Sequence, residues 1–446
     1  MVIKNNKTVF IGVSPNRRVL PTGQAGGVKP TVFVGVSGGV DSSVSAALLK
    51  EATPKNFKKF FGRPTPKGFR GYNVVGVFIR TWTPDFIECT WKNERRDAMR
   101  VCAHLNIPFL ECDAEKEYKK SVVDYMIEEY KKGNTPNPDV MCNREVKFGV
   151  FWKFAQSHGA DFIATGHYAR KSPLLVEEGV GGGDPKELPP RPAGTPPRKG
   201  GEEMHKLLKG IDSSKDQVYF LWTLTQEDLS HILFPIGHLK KTEVRKLAKK
   251  YNLPTATKKD SQGICFLGLL DMKDFLRHYI KSEKGNVLLA RHDSELGNEK
   301  GPARPHESSG AGGEIIGNHN GAVFFTLGER HGFTLNKHSE NDEPLYVISK
   351  DIKNNTITVS PRPCLGEEDE PHRTVLCNNA NWISGIPEKD KVYIAQIRYH
   401  GEFLDCKVVV TGQTCEITFD KNVIVDKGQS IVIYDGDICL GGGVVI

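Results

Sequence analysis

The sequence predicts an α/β protein in which a doubly wound parallel sheet is followed by a small mixed central domain and an antiparallel β-barrel. Three observations predict this order. Strand-like and helix-like segments alternate over residues 31–170, the pattern of a parallel sheet covered by helices. Helical patterns then occupy residues 223–280. From residue 345 onward, short strands of alternating hydrophobicity are separated by turn residues, which is typical of a barrel or sandwich.

Each element of the first half follows from its local pattern. The predicted strands are apolar and rich in β-branched residues, as in strands buried on both faces, and they span 31–36, 73–79, 108–112 and 162–165. The predicted helices span 42–50, 94–105, 116–132 and 145–158. The Lys-, Phe- and Pro-rich stretch 54–72 is predicted to be an inserted loop, and the Gly/Pro-rich stretch 172–204 a disordered loop.

The second half gives three more helices and a run of short strands. The predicted helices span 225–233, 241–251 and 269–279, and a polar insertion covers 290–313. The Lys-rich stretches 55–59 and 240–250 are interpreted as solvated faces. For 240–250, the alternative is a surface that contacts an RNA backbone. We therefore expect an N-terminal extension at 1–30, a first domain at 31–222, a central domain at 223–342 and a barrel at 343–446.

The composition is that of a globular protein that does not cross a membrane. Apolar residues make up 38% of the 446 residues, which is enough for ordinary cores. No run approaches the roughly 18 consecutive apolar residues of a membrane helix. The formal charge of +7 permits a polyanionic partner without requiring one.

The cysteines indicate a reducing compartment and no metal site. None of the ten is spaced from another as C-x-x-C, which argues against a zinc ribbon, and a chain without a secretory segment keeps its thiols reduced. The spacing of Cys89, Cys102 and His104 is poor for a metal, and we reject that group. His167 is interpreted as a structural hydrogen-bonding group.

The N-terminal extension leaves the compartment open between two interpretations. It carries five basic residues, and no acid occurs before Asp41, as in an organelle transit peptide. However, Thr8–Ser14 (TVFIGVS) nearly repeats Thr31–Ser37 (TVFVGVS), which favours a duplicated fragment or an extension at least as strongly. We expect a cytoplasmic protein, with a mitochondrial location as the alternative.

The string SGGVDS at residues 37–42 lies between the first predicted strand and the first predicted helix. Gly38 and Gly39 allow backbone N–H groups to approach an anion closely. The hydroxyl groups of Ser37, Ser42 and Ser43 add donors, and Asp41 is placed to orient Mg²⁺ or the loop itself. Because the terminal Gly-Lys-Ser/Thr is absent, this is not a Walker A loop. We predict a phosphate-binding loop; the alternative is a tight turn without a ligand.

Two cysteines have unusual surroundings. Cys142 lies in TPNPDVMCNREVKF, three residues after Asp139 and near a predicted helix start, where the thiolate is favoured. Cys265 lies in KKDSQGICFLG, after two lysines and a glycine. The alternative for either one is a buried, inert thiol.

The order of these motifs resembles the tRNA-specific 2-thiouridylase family (MnmA/TrmU) of the PP-loop ATP pyrophosphatase superfamily. The resemblance runs from residue 31 to the C-terminus, outside the inserts at 54–72, 172–204 and 290–313. The matching stretches are GVSGGVDSSVSAALL, TPNPDVMCNREVKF, ATGHYAR, LLKGIDSSKDQVYFLWTL, LFPIGHLKKTEVRKLA, KKDSQGICFLG, FFTLGERHGF and CLGGGVV.

The resemblance implies an ATP-binding catalytic domain at 31–222, a tRNA-binding central domain at 223–342 and roles for particular residues. Those implied to bind ATP are Gly35, Val36, Ser37, Gly38, Gly39, Val40, Asp41, Ser42, Ile79 and Gly166. Those implied to contact tRNA are Asn137, Pro138, Asp139, Lys215, Asp216, Gln217, Arg398 and Tyr399. The first three of these face the target uridine, with Asp139 a candidate general acid/base.

The resemblance also implies the chemistry, which is 2-thiolation of the wobble uridine. ATP would adenylate the uridine carbonyl oxygen, so that AMP becomes the leaving group. Cys265 would carry sulfur as a persulfide, acting directly or as released sulfide, and Cys142 would resolve the persulfide through a disulfide with Cys265. The implied cofactors are ATP and Mg²⁺. The implied partners are tRNA and a sulfur-donor protein, either a persulfide carrier or a cysteine desulfurase, and the chain would be a monomer.

Two other functions compete with this one. The chain resembles other PP-loop adenylating enzymes too, such as amide-forming synthetases, in which both cysteines would be structural. It also has features of an RNA-binding protein that has lost catalysis, although the intact SGGVDS loop argues against that.

Overall fold

The computed structural model describes residues 29–61, 65–66, 68–86, 91–173, 204–260, 271–290, 313–336, 343–361 and 373–446. The N-terminal extension, nearly all of the inserts at 172–204 and 290–313, and the segment around Cys265 lie outside the described residues.

A five-stranded parallel sheet forms the centre of the first domain, in the order β3-β2-β1-β4-β7. Its strands are β1 (Thr31–Gly35), β2 (Asn73–Arg80), β3 (Phe109–Asp113), β4 (Phe162–Ala164) and β7 (Ile232–Leu233). This confirms the predicted parallel sheet. Successive strands run outward from β1 in both directions, so the strand order reverses at its carboxyl end. Open α/β sheets bind ligands at such a point.

Two short segments extend the first domain beyond the predicted boundary at residue 222. Ile232 and Leu233 were predicted to end a helix, but they pair with β4, and both are buried. The helix α8 (Gln226–His231) stops just before them. Burial at the edge of the sheet therefore outweighs the local helical pattern.

The stretch 54–72 is not only a loop. Phe57–Phe61 forms the short helix α2, and Phe57 is fully buried. Its ring lies 4.6 Å from that of Phe69, which lies 4.9 Å from that of Tyr72. Aromatic burial of this kind ties the insert to the sheet, although its lysines and prolines suggested a solvated loop.

The helices that cover the sheet are α1 (Val40–Glu51), α3 (Trp91–His104), α4 (Glu115–Tyr118), α5 (Tyr125–Lys131), α6 (Pro138–Met141), α7 (Phe151–Ser157) and α9 (Lys241–Lys250). A π-helical stretch, Lys119–Asp124, joins α4 to α5, and another, Cys142–Val150, joins α6 to α7. Interruptions of this type occur often at functional sites, and the second one begins at Cys142.

The central domain is a helix, α10 (Met272–Arg277), and a mixed sheet in the order β10-β9-β8-β12-β11. Its strands are β8 (Gly285–Leu289), β9 (Ile315–His319), β10 (Phe333–Leu335), β11 (Tyr346–Asp351) and β12 (Thr356–Ser360). The last two were predicted to open the barrel. They complete the central sheet instead, because β12 pairs in parallel with β8, and a strand pattern does not reveal which sheet a strand joins.

Six antiparallel strands close into the predicted barrel, because β13 pairs with β18 as well as with β16. They are β13 (Thr374–Trp382), β14 (Tyr393–Gln396), β15 (Phe403–Thr411), β16 (Thr414–Phe419), β17 (Ser430–Asp435) and β18 (Ile438–Val445). A hairpin of the first domain, β5 (Ala169–Pro173) and β6 (His205–Lys209), extends the barrel sheet through the β6–β18 pairing.

The three domains meet at a buried ion pair. Asp426 of the barrel accepts hydrogen bonds from Lys350 Nζ of the central sheet at 2.6 Å and from Thr135 Oγ1 of the first domain at 2.7 Å. The side chains of Lys350 and Asp426 are 8% and 3% exposed. The backbone N–H of Thr135 also donates to the carbonyl oxygen of Lys427, at 2.7 Å. One carboxylate thus contacts all three domains.

We expect the stability of the fold to fall in mild acid because of His231. Its ring stacks on that of Trp152 at 3.8 Å, and burial, followed by the nearby charge of Lys171, lowers its pKa to about 4. The unfolded imidazole has a pKa near 6.5, so between about pH 6.5 and 4 the unfolded state binds more protons. The free energy of unfolding therefore decreases as pH falls through this window.

The measurement is urea unfolding of the wild type and His231→Phe at pH 7 and pH 4.5. Phenylalanine keeps a ring on Trp152 but does not titrate, so the variant should lose less stability between the two pH values. An equal loss of unfolding free energy in both proteins would contradict the assignment of the pH dependence to His231.

Candidate active site

The SGGVDS loop follows β1 at the carboxyl end of the parallel sheet, and its serines hold the loop together. Ser42 Oγ accepts a hydrogen bond from the backbone N–H of Ser37 at 3.2 Å. Ser43 Oγ donates to the carbonyl oxygen of Gly39 at 2.6 Å and accepts from Thr255 Oγ1 at 3.0 Å. Ser43 is fully buried, so its predicted role as a donor to a ligand is wrong. The loop can therefore donate to an anion from its backbone N–H groups and from the hydroxyl groups of Ser37 and Ser42.

Two glycines bring other chain segments against this loop. Gly38 has a φ of +73°, and a Cβ there would lie 2.6 Å from the carbonyl oxygen of Glu94. A Cβ on Gly166 would lie 2.8 Å from the backbone nitrogen of Ser42. These approaches are possible only without side chains. They place Gly166 against the loop, and its contact with the nucleotide stays a prediction.

Ile79 lies beside the same loop. A Cβ on Gly35 would lie 3.7 Å from Ile79 Cδ1, so Ile79 forms an apolar wall at the end of β1. The structure therefore brings together Gly35–Ser42, Ile79 and Gly166, which are separate in the sequence.

Asp41 binds a cation of the protein. Lys241 Nζ lies 2.8 Å from both oxygens of the Asp41 carboxylate, and Tyr168 donates its hydroxyl proton to Oδ1 at 2.8 Å. Lys241 is only 13% exposed, so its interpretation as part of a solvated face is wrong. Sequence reasoning missed Lys241 and Tyr168, although both lie within stretches that resemble the family.

Lys241 also contacts Asp260, at 2.9 Å. Asp260 is paired in addition with Arg245 at 2.5 Å and Lys215 at 3.1 Å. Burial alone would raise the pKa of Asp260, but hydrogen bonds from Lys241 and Lys215 outweigh burial and lower it to about 2. This network, formed by Asp41, Lys241, Asp260, Arg245 and Lys215, connects the loop to the chain just before Cys265.

The network also shows where the predicted tRNA contacts at residues 215–217 lie. Lys215 belongs to it. The carboxylate of Asp216 accepts from the backbone N–H of Gly210 at 2.8 Å, and the side-chain oxygen of Gln217 accepts from the backbone N–H of Tyr168 at 3.1 Å. Both side chains are thus used inside the protein, and their contact with tRNA stays a prediction.

A second group of predicted residues forms the start of α6. Asn137 Oδ1 caps the helix by accepting from the backbone N–H of Val140 at 3.2 Å, and Pro138 occupies the first turn, where its missing N–H costs nothing. Asp139 and Cys142 lie three residues apart, hence on one face of the helix. Cys142 is buried, with 1% of its surface exposed.

Aromatic residues connect this turn to the barrel. Tyr399 lies 4.4 Å from Phe220 and 6.2 Å from Tyr219, measured between ring centroids. Tyr219 lies near Asn137 and donates its hydroxyl proton to the carbonyl oxygen of Ser430 in the barrel, at 2.9 Å. Burial, followed by the charges of Asp216 and Asp139, raises the pKa of Tyr399 to about 12. Three segments distant in sequence thus meet here, and Tyr219 and Phe220 were missed although the matching stretch KDQVYFLWTL contains them.

Arg398 lies on the exposed side of this second group. A Cβ on Gly328 would lie 3.4 Å from Arg398 Nη2, so the guanidinium borders the LGERHG turn of the central domain. Arg398 is exposed, and it directly precedes Tyr399 in the chain.

His167 is embedded in the core behind Gly166. Its Nδ1 lies 2.8 Å from Thr165 Oγ1, and burial, followed by the charge of Lys147, keeps its pKa well below 6.5. Across the part of the chain that the structure describes, no three His, Cys, Asp or Glu side chains are placed to hold a metal ion. Within the same ranges, no helix has the length and apolar character that a membrane span needs.

Comparison with known proteins agrees with this architecture. Three family models match successive parts of the chain: a tRNA methyl transferase HUP domain at 30–63 and 68–269, a tRNA methyl transferase PRC-barrel domain at 306–361, and an aminomethyltransferase β-barrel domain at 372–445. The HUP match extends past residue 222, as the sheet does.

Curated relatives cover nearly the whole chain. The tRNA-specific 2-thiouridylase MnmA of Christiangramia forsetii is 39% identical over 93% of this chain and 99% of its own length. Those of Listeria innocua and Bacillus subtilis are each 37% identical over 93% of this chain and 94% of their own lengths. The chain therefore belongs to the tRNA-specific 2-thiouridylase (MnmA) family.

Proposed function

We propose that this chain is a sulfurtransferase that catalyses ATP-dependent 2-thiolation of the wobble uridine of tRNA. The site has two halves, the phosphate loop and the turn that contains Asn137, Asp139 and Cys142. The observation that carries the proposal is that one residue, Ile79, connects them. Ile79 lies beside Gly35 of the phosphate loop and also packs against the buried cluster that contains Cys142. Ile79 thus links the phosphate loop to the buried cluster that contains Cys142, which supports a shared site.

The first half-site activates the uridine. The carbonyl oxygen of uridine is a poor leaving group, and adenylation makes it a good one. Backbone N–H groups at the start of α1 suit the phosphates of ATP, aided by the positive end of the helix dipole. The apolar wall at Ile79 suits adenine.

Mg²⁺ fits this site as part of the substrate. Both Asp41 oxygens are engaged by Lys241, so the loop offers no free pair of carboxylate oxygens. Mg²⁺ in nucleotide sites is often held largely by phosphates and water. We therefore assign it to the Mg·ATP complex and name no protein ligand.

The second half-site binds the base. Sequence-specific recognition of RNA favours unstacked bases that lie against aromatic rings. Phe220 and Tyr399 supply such rings, with Asn137 and Asp139 at their edge. Asp139 is assigned as the general acid/base, and Arg398 contacts the RNA backbone.

Sulfur transfer then requires both cysteines. The terminal sulfur of a Cys265 persulfide attacks C2 of the uridine, and the C2–O bond to AMP breaks. The Cys142 thiolate next attacks the inner sulfur, which leaves the new sulfur on C2 and forms a Cys142–Cys265 disulfide. A thiol reductant reopens that disulfide, and a persulfide carrier or cysteine desulfurase reloads Cys265. The chain acts as a monomer, in the cytoplasm or alternatively in the mitochondrion.

Reconstitution tests the proposal. The purified chain is incubated with an unmodified tRNA transcript, Mg·ATP and a persulfide donor, and nucleosides and pyrophosphate are measured. We expect 2-thiouridine at the wobble position and tRNA-dependent release of pyrophosphate. Pyrophosphate release without thiolation would support the amide-forming alternative, and absence of both would support an RNA-binding protein that has lost catalysis.

We expect Gly166→Ala to weaken ATP binding by at least about tenfold. The new Cβ would lie 2.8 Å from the backbone nitrogen of Ser42, so the loop must shift, and overpacking of this kind costs roughly 1–3 kcal/mol. Gly412→Ala is the comparison, because its Cβ meets no atom within 4 Å and it lies in the barrel turn between β15 and β16, away from the loop, so its ATP affinity should be unchanged. Calorimetric titration with ATP measures both; equal losses would contradict the prediction.

A further inference from the structure

Every cation of the charge network beside the loop is paired with a carboxylate of the protein. Lys241 Nζ is shared between Asp41 at 2.8 Å and Asp260 at 2.9 Å. Arg245 and Lys215 also neutralise Asp260. Each of the three cations therefore already contacts a carboxylate when no nucleotide is bound.

Lys241 is anchored by its backbone rather than by its ammonium group alone. Its backbone N–H donates to Asp212 Oδ2 at 2.8 Å. Its helix, α9, packs on α1 through Val244 and Ala248 against Val44. The position of Cα is thus set by contacts that do not involve Nζ, and the flexible four-carbon side chain is able to change partner.

The surface beside Lys241 is strongly cationic. The residue borders an open groove of about 400 Å³, whose other lining residues are Thr242, Arg245, Lys246 and Lys249. Four of the five lining residues are cationic. The Nζ atom of Lys241 contacts Asp41, which belongs to the loop itself.

We propose that Lys241 exchanges one of its two partners during the reaction: it keeps Asp41, and it pairs in addition with Asp260 when the site holds no polyphosphate but with the polyphosphate of ATP when ATP is bound. This inference rests on the proposed ATP-binding role of the loop. The three cations exceed the two carboxylates of the network by one charge. A polyphosphate adds several negative charges, so Asp260 becomes an unfavourable neighbour and competes for the same cations.

The exchange has a consequence for product release. AMP lacks the polyphosphate and does not displace Asp260. Once adenylation has separated pyrophosphate from AMP, Asp260 competes with pyrophosphate for Lys241, which favours its departure. Asp260 is then a positioning residue that weakens polyphosphate binding, and Lys241 is one that strengthens it.

Binding of ATP, pyrophosphate and AMP to single variants tests this. Asp260→Asn removes the competing charge and should bind ATP and pyrophosphate about tenfold more tightly, while AMP affinity changes less than about twofold. Lys241→Gln should bind ATP and pyrophosphate at least about tenfold more weakly, again with AMP little changed. Lys241→Arg keeps the charge and should restore most of the ATP affinity. Lys250→Gln, on the same helix, is the matched control.

Opposite results would overturn the inference. Weaker ATP binding by Asp260→Asn would mean that Asp260 holds the cations in place for ATP. Equal losses for ATP and AMP in Lys241→Gln would mean a structural role. If Lys241→Gln does not fold, the direction in which Asp260→Asn changes ATP affinity is sufficient to test the inference. A wild type that binds neither ATP nor AMP would instead contradict the proposed function itself.

Discussion

Replacing Cys265 with serine is expected to abolish formation of 2-thiouridine, by at least about 1,000-fold, while tRNA-dependent pyrophosphate release continues. Serine cannot carry a persulfide, but adenylation precedes sulfur transfer and needs no thiol. Mass spectrometry of the wobble nucleoside and a pyrophosphate assay on the same reaction measure the two steps separately.

Cys142→Ser should block thiolation equally, because the persulfide is then not resolved. The matched control is Cys102→Ser, whose thiol in α3 is as buried as that of Cys142 but lies outside the proposed site. Thiolation that persists with Cys265→Ser, in the purified system or in a strain carrying only that variant, would exclude the persulfide mechanism. Loss of activity in Cys102→Ser alone would point to a folding defect.

The largest expected effect on stability is that of Asp426→Ala. Lys350 is 8% exposed, and removing its carboxylate partner leaves a buried, unpaired charge, which costs about 3–5 kcal/mol. Thr135 Oγ1 and the backbone N–H of Leu327 lose the same acceptor. We expect urea unfolding to show this loss, and the remaining folded protein to bind tRNA less well, because Thr135 lies two residues before Asn137.

A double variant separates charge from packing. Asp426→Leu combined with Lys350→Met removes both charges and should recover much of the stability that Asp426→Ala loses, as observed for other buried pairs replaced by apolar residues. Glu402→Ala is the control, since its pair with Lys421 is exposed and should contribute little. If Asp426→Ala loses as little stability as Glu402→Ala, the buried ion pair does not hold the domains together.

Local patterns predicted the secondary structure well where the period was clear. The strands β1, β2 and β3 lie within a residue or two of their predicted positions, because parallel strands are continuous apolar runs. The pattern failed at Ile232 and Leu233, and at β11 and β12, because burial and sheet membership depend on residues far along the chain. The aromatic cluster around Phe57 was hidden by the lysines and prolines between its members.

Sequence alone predicted the phosphate loop, and it determined the fold class and the family resemblance, because these depend on short motifs and local periods. Only the tertiary structure decided which charges meet. Asp41 and Lys241 are 200 residues apart, and Thr135 and Asp426 are 291 apart. Contacts at such separations leave no local pattern, because the motif around one residue does not identify its partner elsewhere in the chain. The fold brings these residues into contact and gives each its partner.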